Sequence, residues 1–94
     1  MQAKLTLYVN GDSTLSRRAL ANIRRIIAES LSDTCLLEVV DVTQSPERAD
    51  EARILATPTL VRLTPTPERR VTGDLADADR VLIALELTDD SSGR

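Results

Sequence analysis

A chain of 94 residues with 12 Lys and Arg against 15 Asp and Glu, no His, Trp or Phe, one Cys and one Tyr has room for one core and excludes a second domain. Without His there is no imidazole triad, proton shuttle or His metal site, and one Cys cannot make an internal disulfide or a Cys zinc cluster, so no metal, no cofactor and no enzyme chemistry are expected, and a lone thiol suits the cytoplasm. A net charge of -3 with almost no stacking aromatics argues against nucleic acid, and no signal peptide or run of about 18 apolar residues argues for a membrane.

Lys4 to Val9 alternates, with Leu5, Leu7 and Val9 on one face and Thr6 and Tyr8 on the other, which predicts a strand with Tyr8 packing on the sheet. Asn10-Gly11-Asp12-Ser13 breaks it, and Asp12 or Ser13 can cap the next element by accepting N–H groups that a first helical turn leaves unpaired. A long helix follows, with Leu15, Ala19, Ile23, Ile26, Ile27 and Leu31 at spacings of three and four and Arg17, Arg18, Arg24 and Arg25 mostly off that stripe. After a break at residues 32–34, Leu36 to Val42 is β-branched and nearly continuous, the pattern of a strand buried on both faces inside a sheet. Strand, helix, strand implies a parallel crossover.

Ser45-Pro46 predicts a helix start, because proline at the first position has its φ preset and lacks an N–H the helix would not use; the helix is expected to reach about Leu55. Leu60 to Leu63 and Arg69 to Thr72 predict two short strands around a Pro-rich turn. Thr57-Pro58-Thr59, before the first of them, is expected to hold a cis-proline at Pro58 on the strength of the element order. Beyond Gly73-Asp74-Leu75, Ala78, Val81, Leu82 and Leu85 fit a helical stripe, while Ile83, Leu85 and Leu87 also alternate, so periodicity alone leaves that segment open. Residues 1–87 are expected to form one domain and 88–94 a polar, disordered tail. The order βαβαββα predicts an α/β, thioredoxin-like fold with a mixed sheet. The position where such enzymes carry a reactive thiol reads Asn10-Gly11-Asp12-Ser13-Thr14, so dithiol chemistry is excluded. Cys35, at the far end of the first helix, reads as a small hydrophobe.

Leu7-Tyr8-Val9-Asn10-Gly11, Ser16-Arg17-Arg18-Ala19-Leu20, Val40-Asp41-Val42, Pro46, Ile54-Leu55-Ala56-Thr57-Pro58-Thr59-Leu60, Arg69-Arg70, Gly73-Asp74-Leu75 and Val81-Leu82-Ile83 together resemble the KaiB family of circadian clock proteins. The match runs from about Lys4 to Leu87. The resemblance implies a non-enzymatic binding protein that docks on the ATPase ring of a hexameric KaiC-like ATPase. It also implies a KaiA-like protein as a further partner and a sensor histidine kinase as a competitor for the ring. KaiB proteins switch between a tetrameric ground state with a rearranged C-terminal half, the alternative fold here, and a thioredoxin-like monomer. Arg18, Arg53, Arg62 and Arg70 stand where the family carries cations facing its partner, and charge reversal at Arg18 and Arg70 is expected to slow association with an acidic partner.

After Val-Leu-Ile the family pattern reads Gly-Leu-Asp-Leu and soon a Tyr, whereas this chain has Ala84, Leu85, Glu86 and Leu87, then Thr88-Asp89-Asp90. Ala for Gly favours helix by about 0.8–1 kcal/mol and Glu for Asp by a few tenths. Ala84, Glu86 and Asp89 are therefore expected to bias the chain by about 1–1.5 kcal/mol toward the thioredoxin-like fold, and toward a monomer over a dimer or tetramer. The same departures put a role in a true oscillator in question, with stress signalling as the other output. A sensor or scaffold domain unconnected to KaiC, and a redox protein supported by fold alone, are the competing readings.

Overall fold

The computed structural model describes residues 2–31 and 35–87; Asp89, the expected tail and the break at 32–34 lie outside the described residues. The elements are β1 (Ala3–Val9), α1 (Thr14–Ile26) continuing into a π-helical segment (Ile27–Leu31), β2 (Cys35–Asp41), α2 (Pro46–Glu51), β3 (Thr59–Thr64), β4 (Arg69–Thr72) and α3 (Ala78–Ala84). The sheet order is β2-β1-β3-β4. β1 pairs in parallel with β2 and antiparallel with β3, which pairs antiparallel with β4. This is the thioredoxin-like mixed sheet that the element order predicts.

The alternation of β1 divides the molecule into two layers. Leu5, Leu7 and Val9 pack with Leu60 against Ala19, Ile23 and Ile26 of α1 and Val81 of α3, closed off by Leu85. Tyr8 packs on the other side with Val40 and Val61, where Val42, Ala52 and Ile54 lie against them. Cys35 is a partly buried packing residue at the margin of the larger cluster. No helix among the described residues is long and apolar enough to cross a membrane.

Four details depart from the sequence reading. β2 is an edge strand, bonded among the described residues to β1 alone, and Leu36 and Val39 are 49% and 40% exposed. Its apolar run therefore does not mark an interior strand, because the six-residue α2 buries none of its own residues and leaves that end of the sheet uncovered. Leu15 is 50% exposed, and Ser16 is buried in its stead. The Ser16 hydroxyl accepts the Asn10 N–H at 3.0 Å while its own N–H donates to the capping Ser13 Oγ at 3.2 Å, so polar bonds fix the first turn. The α-helical part of α1 ends at Ile26, and the wider turn that follows brings Leu31 back to the core.

α2 stops at Glu51 rather than near Leu55. Arg53 is left-handed (φ 56), its N–H donates to the Asp50 carbonyl at 3.1 Å, and the Ile54 N–H reaches the Ala49 carbonyl at 2.9 Å. This paired bonding is the Schellman ending, and it leaves Leu55 97% exposed. α3 ends the same way: Glu86 is left-handed (φ 55), with Glu86 N–H to the Ile83 carbonyl at 3.1 Å and Leu87 N–H to the Leu82 carbonyl at 2.8 Å.

Candidate functional site

The four arginines singled out in the sequence divide three ways. Arg70 lies opposite Val61 in the β3–β4 register, on the face that carries Tyr8. Its guanidinium donates to the Ala52 carbonyl at 3.0 Å and the Arg53 carbonyl at 3.3 Å and pairs with Glu68 at 2.6 Å. Arg70 and Arg53 are thereby joined at the end of α2, both exposed. They border a shallow hollow of about 420 Å³ lined also by Tyr8, Arg48, Glu51 and Leu63.

Arg48 is the cation that sequence reasoning missed. It forks onto Glu38 with both terminal nitrogens, at 2.6 and 3.0 Å. That hydrogen-bonded contact, with the charge of Arg48 assisting, holds the Glu38 carboxyl below the usual carboxylate range, and in turn raises Arg48. The pair lies ten positions apart and joins the edge strand to α2, so only the placement of β2 beside β1 makes it visible. As a solvent-exposed pair it adds little stability, but it holds one guanidinium at the rim of the hollow.

Arg62 is not a surface residue. It is 3% exposed and donates to the Leu85 carbonyl at 2.9 Å and the Pro67 carbonyl at 2.6 Å, with Nε left without a partner. In the register it sits opposite Leu5 and Arg69, on the face covered by α1 and α3. The alternation that exposes one residue on β3 buries the next, and a cation next to the C-terminal end of α3 meets the negative end of the helix. Its role is to tie β3 to the end of α3 and to the β3–β4 turn. Arg18 is exposed, but it belongs to α1 on the opposite layer from Arg53 and Arg70.

Of the residues expected to bias the fold, Ala84 is the last residue of α3. Glu86 lies beyond the helix in a left-handed conformation, where helix propensity does not apply; its carboxylate pairs with Arg69 at 3.1 Å. The bias assignable from propensity therefore falls to the Ala84 contribution of about 0.8–1 kcal/mol. The Thr57–Pro58 bond is cis, as are Thr64–Pro65 and Thr66–Pro67.

Asp41, the last residue of β2, lies beside the loop of residues 10–14 where a thioredoxin-like enzyme would carry its thiol, and bonds to Gly11 of that loop. Its Oδ1 accepts Thr43 Oγ1 at 2.7 Å, Thr43 N–H at 2.9 Å and Gly11 N–H at 3.1 Å. These bonds, led by the Thr43 hydroxyl, keep its carboxyl below the usual range. Asp41 thus ties the two turns together through Oδ1. No group of three or more metal-ligating residues converges among the described residues.

The KaiB domain family model matches residues 6–87. The circadian clock protein KaiB3 of Synechocystis sp. is 42% identical over 83 residues, covering 88% of this chain and 81% of that protein. The circadian clock oscillator protein KaiB of a Synechococcus sp. is 45% identical over 95 aligned positions, covering 96% and 86%. Among solved structures, the N-terminal domain of Synechococcus elongatus SasA is similar with a TM-score of 0.74 at 25% identity, covering 95% of this chain and 88% of that one. Chloroplastic thioredoxin z has a TM-score of 0.75 at 17% identity, covering 92% and 78%, a likeness of fold alone.

Proposed function

Because this chain belongs to the KaiB family, we propose that it is a cytoplasmic, non-enzymatic interaction module that docks on a KaiC-type hexameric ATPase ring and regulates clock or stress output. The observation that carries the reading is the joining of Arg53 and Arg70, with Arg48 beside them, at the rim of one exposed hollow. Arg53 makes no ion pair among the described residues, and its planar fork suits a carboxylate on a partner; Arg70 and Arg48, already bonded to Glu68 and Glu38, flank it, and the thin hydrophobic cover of this face leaves it open to a macromolecular surface. Arg62 supports the same reading indirectly, by fixing the strand on which the face is built. Arg18, the fourth cation that the family resemblance points to, is exposed on α1, on the other layer.

The thioredoxin-like arrangement is the form that docks, and Ala84 favours it, so the free protein is largely monomeric. The likeness to the SasA domain favours a second reading: a sensor or scaffold domain of a signalling system unconnected to a KaiC-type ring. Capture of purified KaiC-type ring by the tagged chain, with and without ATP, separates the two. Retention of the ring by this chain, lost on Arg53→Glu with Arg70→Glu, supports docking by this face. Ring capture that is unchanged at low salt in that double variant would contradict it.

A further inference from the structure

α1 carries an electrostatic arrangement that neither the fold nor the docking face uses. Of the 12 cations in the chain, Arg17, Arg18, Arg24 and Arg25 lie in the 13-residue α-helical part of α1, which holds none of the 15 acids, its π-helical continuation holding one, Glu29. All four are exposed, and among the described residues none of their side chains makes a hydrogen bond or ion pair. They stand at the i−4, i−3, i+3 and i+4 positions around Ala21, the helical neighbours of that residue. Ala21 is itself exposed and lies opposite the buried line of Ala19, Ile23 and Ile26. The result is a small-residue floor with a guanidinium at each corner, about 10 Å from one pair to the next along the axis at 1.5 Å per residue.

Local electrostatics does not account for this. The helix runs on through its π-helical segment to Leu31, so Arg24 and Arg25 stand short of its carboxyl end, and Arg17 and Arg18 stand near the N-terminal end, where cations oppose the helix dipole. The first turn contains no acid to offset them. Four like charges on one face cost the free protein stability, and an opposing set of carboxylates would remove that cost.

We propose that the outer face of α1 is a docking surface for an acidic helical segment of a partner protein, distinct from the Arg53 and Arg70 face on the other side of the sheet. A helix with Glu or Asp at the same four positions around a small residue would place a carboxylate against each guanidinium, and the Ala21 floor permits the close approach that helix pairs require. An extended polyanion fits less well, because the rest of the molecule is strongly acidic and the basic face is short. A membrane fits less well, because the one large apolar side chain that α1 exposes, Leu15, lies beside the four arginines and not among them, too little to insert.

The test uses the full chain and a synthetic helical peptide bearing Glu at the i−4, i−3, i+3 and i+4 positions around a central Ala, with its Gln counterpart as control. NMR titration should show saturable shifts confined to α1 with the Glu peptide. Arg17→Gln with Arg24→Gln should weaken binding about tenfold and flatten its salt dependence, leaving ring capture unchanged. Ala21→Glu, which supplies an internal carboxylate to the four arginines, should raise the melting temperature and weaken peptide binding. Equal binding of the Gln peptide, shifts centred on Arg53 and Arg70, no saturable binding at low salt, or tighter binding of duplex DNA or phosphatidylserine vesicles would each overturn the proposal. Peptide binding without ring capture would overturn only the docking reading above, and ring capture without peptide binding only this one.

Discussion

The two faces of the sheet are built to different standards. On one, Leu5, Leu7, Val9 and Leu60 meet two helices and are sealed from solvent. On the other, Tyr8, Val40 and Val61 are covered by the end of α2 and the segment after it, and the row across the strands runs Glu38, Thr6, Val61, Arg70. The first face supplies most of the hydrophobic free energy. The second has a small apolar centre with charges around it, which resembles the anatomy of an interface, where an apolar centre is ringed by polar groups. A chain with one aromatic residue spends that residue, Tyr8, on the second face.

The largest expected effect lies on the thick face. Leu7→Ala or Ile23→Ala, both at fully buried positions, should cost about 2–5 kcal/mol in denaturant unfolding, through lost transfer free energy and the cavity left behind. Truncation of Val61 should cost less. Equal losses on the two faces would break the distinction.

Next is Arg62, which tests whether a cation on the thick face is structural. Arg62→Met should cost about 1–3 kcal/mol by leaving the Leu85 and Pro67 carbonyls without their donor, and hydrogen exchange should quicken in α3 ahead of the rest. If stability held and only partner binding fell, Arg62 would belong with Arg53 and Arg70 after all.

A smaller effect, informative by its sign, is Glu86→Gly. Helix propensity alone predicts a loss of about 0.5–0.7 kcal/mol, whereas a left-handed residue past the helix end predicts a gain of up to about 1 kcal/mol, reduced by the exposed Arg69 pair. Thermal melts decide between them.

The smallest concerns Asp41. Its folded-state carboxyl lies below its unfolded one, so its contribution is present above the ordinary Asp value of about 3.9 and fades as pH falls through the lower folded value. Asp41→Asn should flatten the acid limb of a stability profile below the ordinary Asp value of about 3.9 and leave the neutral region sloping as before. An unchanged acid limb would remove Asp41 from the account.

Much of the fold was legible because its signals are local. The alternation of Leu5, Leu7 and Val9, the three-and-four spacing of Ala19, Ile23 and Ile26, and Ser45-Pro46 each depend on neighbours a few residues away. The misses are the non-local ones. An apolar run such as Leu36 to Val40 states that a strand forms, but whether it lies inside or at the edge depends on which strand pairs with it and on how far α2 extends. Arg62 and Arg70 look alike as cations on β-rich segments, and only strand register assigns one to the core and the other to the surface. Glu86 shows the same limit for propensity, which presumes that the residue is inside the helix. The contact between Arg48 and Glu38 needs a tertiary crossover before it can be seen.

On the proposed docking, the thin face meets a KaiC-type ring through Arg53 and Arg70. Affinity for the purified ring should be measured for the native chain, for Arg53→Glu with Arg70→Glu, and for Arg62→Met under conditions where it remains folded. Docking by this face predicts a large loss with a weaker salt dependence for the double charge reversal and near-native affinity for Arg62→Met; native affinity in the double variant, or no binding by the native chain with ATP present, would contradict it.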